Sequence, residues 1–402
     1  MSLTGTPFLC TLIVLSLVAL ALPLALWSRI RGPRALRALA RMLMLVFAQG
    51  TAVALVFVLV NNQNMLYDDW GDLLGTGNHV QQAADLGPDG TGGIALNELP
   101  PVRQTFSPAL GPGMSAAGGV RVTRLTGQVS GVRAEVYVWL PPQYHEPAYR
   151  HHKFPVVELL PGYPGSARAW FKTLRAHEQL LPLMRSGRVA PFILVAPRTT
   201  LLPGVDTGCA NIPGKVNADS WLSVDVPRMV MANFRAQPAP RGWAVAGYSA
   251  GGHCATKLAV AHPDRYRAAV SLSGYNDPIA EHASLTSRSP KLRAENDPYL
   301  LLRKARTPPP VALYLSGQPH DGYEAAMALK QAAKAPTSVQ VVFLPRSAGG
   351  HTMALWEPQV VPAFEWLSQL SGTTPPVPST VGSRRAALAS GTASPVAAAR
   401  RP

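Results

Sequence analysis

Ser249 stands in Gly247-Tyr248-Ser249-Ala250-Gly251, with Gly252 directly after. A serine between glycines at this spacing is the pattern of a nucleophile elbow, a turn so tight that a side chain at either glycine would strike neighbouring backbone. The serine there takes strained backbone angles that hold its hydroxyl clear of the sheet. The pattern alone is a weak signal in a chain with 34 glycines. Its setting strengthens it. The apolar run Trp243–Ala246 leads straight into the motif and a helix-forming segment, Ala250–His262, leaves it. That is the strand–turn–helix context an elbow needs. The helix N-terminus behind the serine also favours developing negative charge.

A serine hydroxyl is a weak nucleophile without a base. His351, in Ala348-Gly349-Gly350-His351-Thr352, falls between the last predicted strand and the last predicted helix. That is where a base belongs in the chain order Ser, acid, His. The group that orients the histidine is expected after the preceding strand, in Gly317-Gln318-Pro319-His320-Asp321. Asp321 is chosen, with Glu324 and Asp277 as rivals; alternatively Asp321 caps the helix that follows. Two backbone N–H groups must hold the oxyanion. One is assigned to Ala250 and the other to Tyr163, in the loop Leu160-Pro161-Gly162-Tyr163-Pro164-Gly165, where neither proline can donate. Trp170, Trp221 and Trp356 are candidates for a substrate-binding wall, although aromatics more often belong to the core. His253 is read as structural. Neither metal-ligand spacing nor a phosphate-binding glycine loop is present, so no cofactor is expected.

These residues need a scaffold. Val120–Leu125 and Val132–Leu140 alternate polar and apolar residues and predict two antiparallel strands. Short apolar runs at Phe154–Leu160, Phe192–Ala196, Trp243–Ala246, Ala268–Leu272, Val311–Ser316 and Val339–Leu344 predict buried strands. Helical segments fall between them, at Ala167–Arg185, Ser220–Phe234, Ala250–His262, Asp321–Ala335 and Thr352–Leu370. The alternation predicts an α/β class, the α/β-hydrolase fold: a mainly parallel central sheet with helices on both faces.

The 402-residue chain is 47% hydrophobic. Two uncharged stretches, Phe8–Trp27 and Met42–Val60, are each long enough to cross a bilayer. A cleaved signal peptide is the other reading of the first, but Trp27 and Arg29 make a poor cleavage site. Arg29, Arg31, Arg34, Arg37 and Arg41 lie between the two with no acid among them. Arginine-rich short loops stay in the cytoplasm, which places the remainder of the chain outside, as the extracellular catalytic domain of a multi-pass cell-membrane protein. The net charge of +15 is scattered and carries no nucleic-acid recognition motif, so no nucleic-acid partner is expected. Residues 1–60 are read as the anchor, with transmembrane helices at 8–27 and 42–60. Residues 61–119 are read as a Gly- and Pro-rich linker, 120–370 as the hydrolase domain, and 371–402 as a disordered tail carrying Arg384, Arg385, Arg400 and Arg401. Cys209 and Cys254 are left open between a disulfide and two buried thiols.

With these residues in place, the chain resembles the esterase D and antigen 85 (mycolyltransferase) group of α/β-hydrolases, and looks closest to membrane-tethered esterase-like proteins of actinobacteria. The resemblance covers about residues 120–370. It rests on Leu159-Leu160-Pro161-Gly162-Tyr163, on Asp206-Thr207-Gly208-Cys209 through Trp221, on Gly247–Gly252 and on Gly350-His351. It implies Ser249, Asp321 and His351 as the triad, with Tyr163 and Ala250 as oxyanion donors. Mycolyltransferases generally use Glu where Asp321 stands, and many relatives have His or Asp where Pro161 stands. These departures weaken mycolyl transfer and leave acyl-enzyme chemistry intact. The expected function is a serine esterase acting on an ester or acyl-lipid substrate. Acyl transfer to a sugar or lipid hydroxyl is the alternative, and an inactive envelope-binding protein a third.

Overall fold

The computed structural model describes residues 1–111 and 113–371; the expected tail, with its four arginines, lies outside the described residues apart from Ser371. The chain begins with two long helices, α1 (Thr6–Leu26) and α2 (Arg34–Asn64), packed against each other. Both are long and apolar enough to cross a membrane, with mean hydropathies of 2.7 and 2.5 over their most apolar windows. The second helix starts earlier than expected. Arg34, Arg37 and Arg41 lie on its first turns rather than in a loop, and Arg41 turns back to donate to the Trp27 carbonyl. Nothing in an arginine opposes helix formation, so the charged flank simply continues the apolar helix.

Nine strands form one sheet: β1 (Ser107–Pro108), β2 (Arg121–Thr126), β3 (Arg133–Trp139), β4 (Val156–Leu160), β5 (Ile193–Pro197), β6 (Trp243–Tyr248), β7 (Ala268–Leu272), β8 (Ala312–Gly317) and β9 (Ser338–Phe343). Their order is β1-β2-β3-β5-β4-β6-β7-β8-β9. The six strands from β5 to β9 in that order are parallel, and β1 to β3 join antiparallel at one edge. The sheet therefore starts within the segment read as a linker. Alternate residues of each strand feed opposite faces. Val156 and Leu160 of β4 enter one apolar cluster and Val157 and Leu159 the other, which is why the strand reads as an apolar run interrupted only by Glu158.

Three expected helices depart from a plain α-helix. The segment 167–185 divides into Ala169–Lys172 and α3 (Ala176–Arg185), because Arg175 takes a left-handed conformation with φ 46°. The segment after Ser220 winds wide through Trp221–Asp225 before α4 (Val226–Asn233). The last divides near Pro358 into Met353–Trp356 and α7 (Val360–Ser371), as a proline's missing N–H dictates. The helices α5 (Ala250–Ala261) and α6 (Tyr323–Ala332) stand close to expectation.

Candidate active site

The elbow between β6 and α5 shows why its residues are glycine and serine. Ser249 holds φ 55° and ψ −126°, a region where side chains are strained. A Cβ on Gly247 would stand 2.0 Å from the Gly251 carbonyl oxygen. One on Gly251 would stand 2.3 Å from that of Leu160 and 2.4 Å from that of Pro161. Helix α5 is pinned from behind. The disulfide Cys209–Cys254 ties it to the loop after β5, which settles the pairing left open by the sequence. Lys257 donates to the Cys209 carbonyl at 2.8 Å and pairs with the buried Asp219, which also meets His262 Nε2 at 2.8 Å. Burial alone would raise Asp219, but Lys257 and His262 hold its carboxyl well below the usual carboxylate range. The helix that follows Ser249 thus stands on a satisfied buried ion cluster.

Ser249 Oγ lies 2.8 Å from His351 Nε2, and His351 Nδ1 lies 2.7 Å from Asp321 Oδ1. With the Nδ1–H tautomer, His351 donates to Asp321 and its Nε2 accepts from the serine hydroxyl. Asp321 does not cap α6; that position belongs to Gly322, which makes no side-chain cap. The Asp321 turn is closed by reciprocal backbone bonds with Gln318, each 2.9 Å. The rivals face elsewhere. Glu324 accepts from the His320 amide, and Asp277 is engaged by Arg293 at 2.6 Å. The His351 ring is 48% exposed and meets Trp356 edge-on with centroids 4.8 Å apart. His351 and Asp321 line an open groove of about 610 Å³ with Gln318, Pro319, His320, Arg346, Gly349 and Gly350.

The loop after β4 abuts Ser249: a Cβ on Gly162 would meet Ser249 Cβ at 3.0 Å. Among the described residues, the amides of Tyr163 and Ala250 make no hydrogen bond within the chain, so both donors are free. The Tyr163 hydroxyl is pushed up to about 12 by burial, with the Asp206 charge adding to it. His253 is confirmed as structural by its surroundings. It is buried, bonded to the Tyr275 carbonyl at 3.0 Å and stacked on that ring, and burial pushes it down to about 4.

The tryptophans separate. Trp221 is fully buried on the sheet face away from Tyr248, with its indole N–H donated to the Arg198 carbonyl at 2.9 Å. It is core, and lines no groove. Trp170 is 1% exposed and also core, but it packs on Tyr248 at 5.6 Å, which stacks on Trp356 at 4.7 Å. Trp170, Tyr248 and Trp356 therefore form an aromatic column under Ser249 and His351; only Trp356 touches the site. The sequence reading passed over Tyr248, although its place beside the nucleophile in the elbow motif marks it as a supporting residue.

An elbow after a central parallel strand, with acid and histidine following the next strands in that order, defines an α/β-hydrolase. A family model described as putative esterase matches residues 128–367, and the chain belongs to that family. An uncharacterized protein of Corynebacterium glutamicum is 24% identical over 255 residues, covering 59% of this chain; the match spans 58% of that relative's length. A solved ferulic acid esterase superposes with a TM-score of 0.52 at 20% identity, covering 62% of this chain and 98% of its own. An S-formylglutathione hydrolase from Agrobacterium tumefaciens gives a TM-score of 0.52 at 15% identity, covering 67% of this chain and 100% of its own. Both show the fold.

Proposed function

We propose that the protein is a serine esterase that hydrolyses carboxylic esters through an acyl-enzyme, with lipid or envelope-glycan esters as substrates at the outer face of a membrane. The observation that carries it is the connected Ser249–His351–Asp321 line, with contacts of 2.8 Å and 2.7 Å. Ser249 Oγ attacks the ester carbonyl while His351 Nε2 takes its proton, and Asp321 stabilises the imidazolium. The Tyr163 and Ala250 amides receive the oxyanion, each donor supplying about 3 kcal/mol of transition-state stabilisation. His351 returns the proton to the leaving alcohol, and water then repeats the sequence on the acyl-enzyme. In this reading residues 1–60 are a two-span anchor and 120–370 the catalytic domain. The arginines between the spans support a cytoplasmic turn, and the Cys209–Cys254 disulfide suits an oxidising exterior.

The test is the full-length protein in lipid nanodiscs with p-nitrophenyl esters of increasing chain length. Ser249→Ala is expected to lose turnover and fluorophosphonate labelling together; wild-type turnover in that variant overturns the reading. With trehalose added, a sugar ester as the main product would reassign the reaction to acyl transfer.

A further inference from the structure

The end of the second membrane helix reaches the catalytic loop. Helix α2 stops at Asn64, and Met65 takes a left-handed turn with φ 53°. The Asn61 side chain clamps the following turn by accepting from the Tyr67 amide and donating to its carbonyl, at 2.9 and 3.1 Å. Met65 is then fully buried in the apolar cluster that contains Trp170, Tyr248 and Trp356. Its carbonyl accepts the Ser166 amide at 2.9 Å. The Ser166 hydroxyl lies 2.7 Å from both oxygens of Asp68. Four residues on, Asp72 receives Arg198 at 2.9 and 3.0 Å. Arg198 is 6% exposed, follows β5 directly, and also meets Glu135 at 2.9 Å and Asp68 at 3.6 Å. The segment Met65–Asp72 is therefore fastened at two places to the end of the sheet that carries the nucleophile.

Ser166 is the next residue after the loop Pro161–Gly165. That loop is folded tightly on itself: a Cβ on Gly165 would stand 2.5 Å from the Gly162 carbonyl oxygen. Gly162 in turn abuts Ser249. A continuous line of close contacts runs from Asp68 through Ser166, Gly165 and Gly162 to the nucleophile, with Tyr163 and its free amide inside it. We propose that Met65–Asp72 is a strut that positions the oxyanion loop, with Ser166 and Asp68 as its positioning residues, so that transition-state stabilisation depends on the seating of the membrane anchor. This deepens the esterase reading and rests on it.

The test uses the full chain in nanodiscs with p-nitrophenyl butyrate, plus a trifluoromethyl ketone, to whose carbonyl Ser249 Oγ adds, giving a hemiketal oxyanion that occupies the same donors while His351 keeps the serine proton. A displacement near 1 Å costs about 100-fold, so Ser166→Ala and Asp68→Asn are expected to lower kcat by about 10- to 100-fold. KM is expected to stay within about twofold, and ketone affinity to fall by the same factor as kcat, because only transition-state contacts are lost. Glu365→Gln removes a surface pair with Arg188 and is expected to keep wild-type kinetics. Should Ser166→Ala fail to fold, Asp72→Asn loosens the strut at Arg198 without touching Ser166 and is expected to shift kcat and ketone affinity in the same direction. Wild-type kcat in folded variants, or kcat loss without loss of ketone affinity, overturns the strut. The underlying reading fails separately, by turnover that survives Ser249→Ala.

Discussion

Gly162→Ala perturbs the site by one methyl group at a known place. The new Cβ would stand 3.0 Å from Ser249 Cβ, and 3.2 and 3.3 Å from two ring carbons of Tyr248. Ordinary carbon contacts begin near 3.4 Å, so the loop and the nucleophile must separate by about 0.4 Å. Gly162 is not among the residues with positive φ, so alanine fits its backbone. At about 100-fold per ångström of misplacement, 0.4 Å costs about sixfold. The Tyr163 amide moves with the same loop, and partial loss of a donor whose removal costs 10²- to 10³-fold adds to it. The expected fall in kcat/KM is about 10- to 50-fold, or about 1.4–2.3 kcal/mol. It should appear in the p-nitrophenol burst, which reports acylation, with the melting temperature changed by only a few degrees. Unchanged kcat/KM in the folded variant would refute the placement of this loop against the nucleophile. Loss that tracks unfolding would refute the catalytic account of it.

Two further outcomes concern stability. Glu158 is fully buried on β4, bonded to the Tyr266 hydroxyl at 2.8 Å, and burial pushes it up to about 8. Between the ordinary carboxylate range and that value the folded protein keeps a proton that the unfolded chain has released, so stability falls as pH rises through this window. Glu158→Gln should therefore raise the unfolding free energy more at pH 9 than at pH 5, by a difference on the order of a few kcal/mol in denaturant titration; equal increments at both would show that burial is not the cause. Cys209→Ser removes a bridge closing a separation of 45 residues. A loop of that length is worth about 4 kcal/mol of unfolded-chain entropy, so denaturant titration should show a loss of that size, and no loss would contradict the loop-closure account.

The arrangement of the candidate site was legible because it is local or ordered along the chain. The elbow declares itself within six residues, and His351 and Asp321 are located by the strands they follow. The parallel sheet was legible for a similar reason: burial on both faces leaves unbroken apolar runs such as Ile193–Pro197. What a single chain hides is partnership across distance. Asp68 and Asp72 fall in the segment read as a linker, yet they face Arg198, 126 residues from Asp72. Trp221 and Trp170 look alike as letters; only the sheet's two faces separate one from the aromatic column. The breaks at Arg175 and Pro358 follow from one residue's backbone each. Proline announces its break, whereas arginine in a left-handed conformation gives no warning.

The histidine stands on different ground from the serine. A Cβ on Gly349 or on Gly350 would meet nothing within 4 Å, so the segment leading into His351 is not wedged by its neighbours. Besides its bond to Ser249, the ring is held by one carboxylate and a perpendicular contact with one indole. Half of the proposed Ser249–His351 pair is therefore bolted into the sheet, while the other half hangs on a hinge. A bulky acyl group could enter by swinging a few residues aside, with no strain passed to the core, and the proton relay would re-form once the tail had cleared.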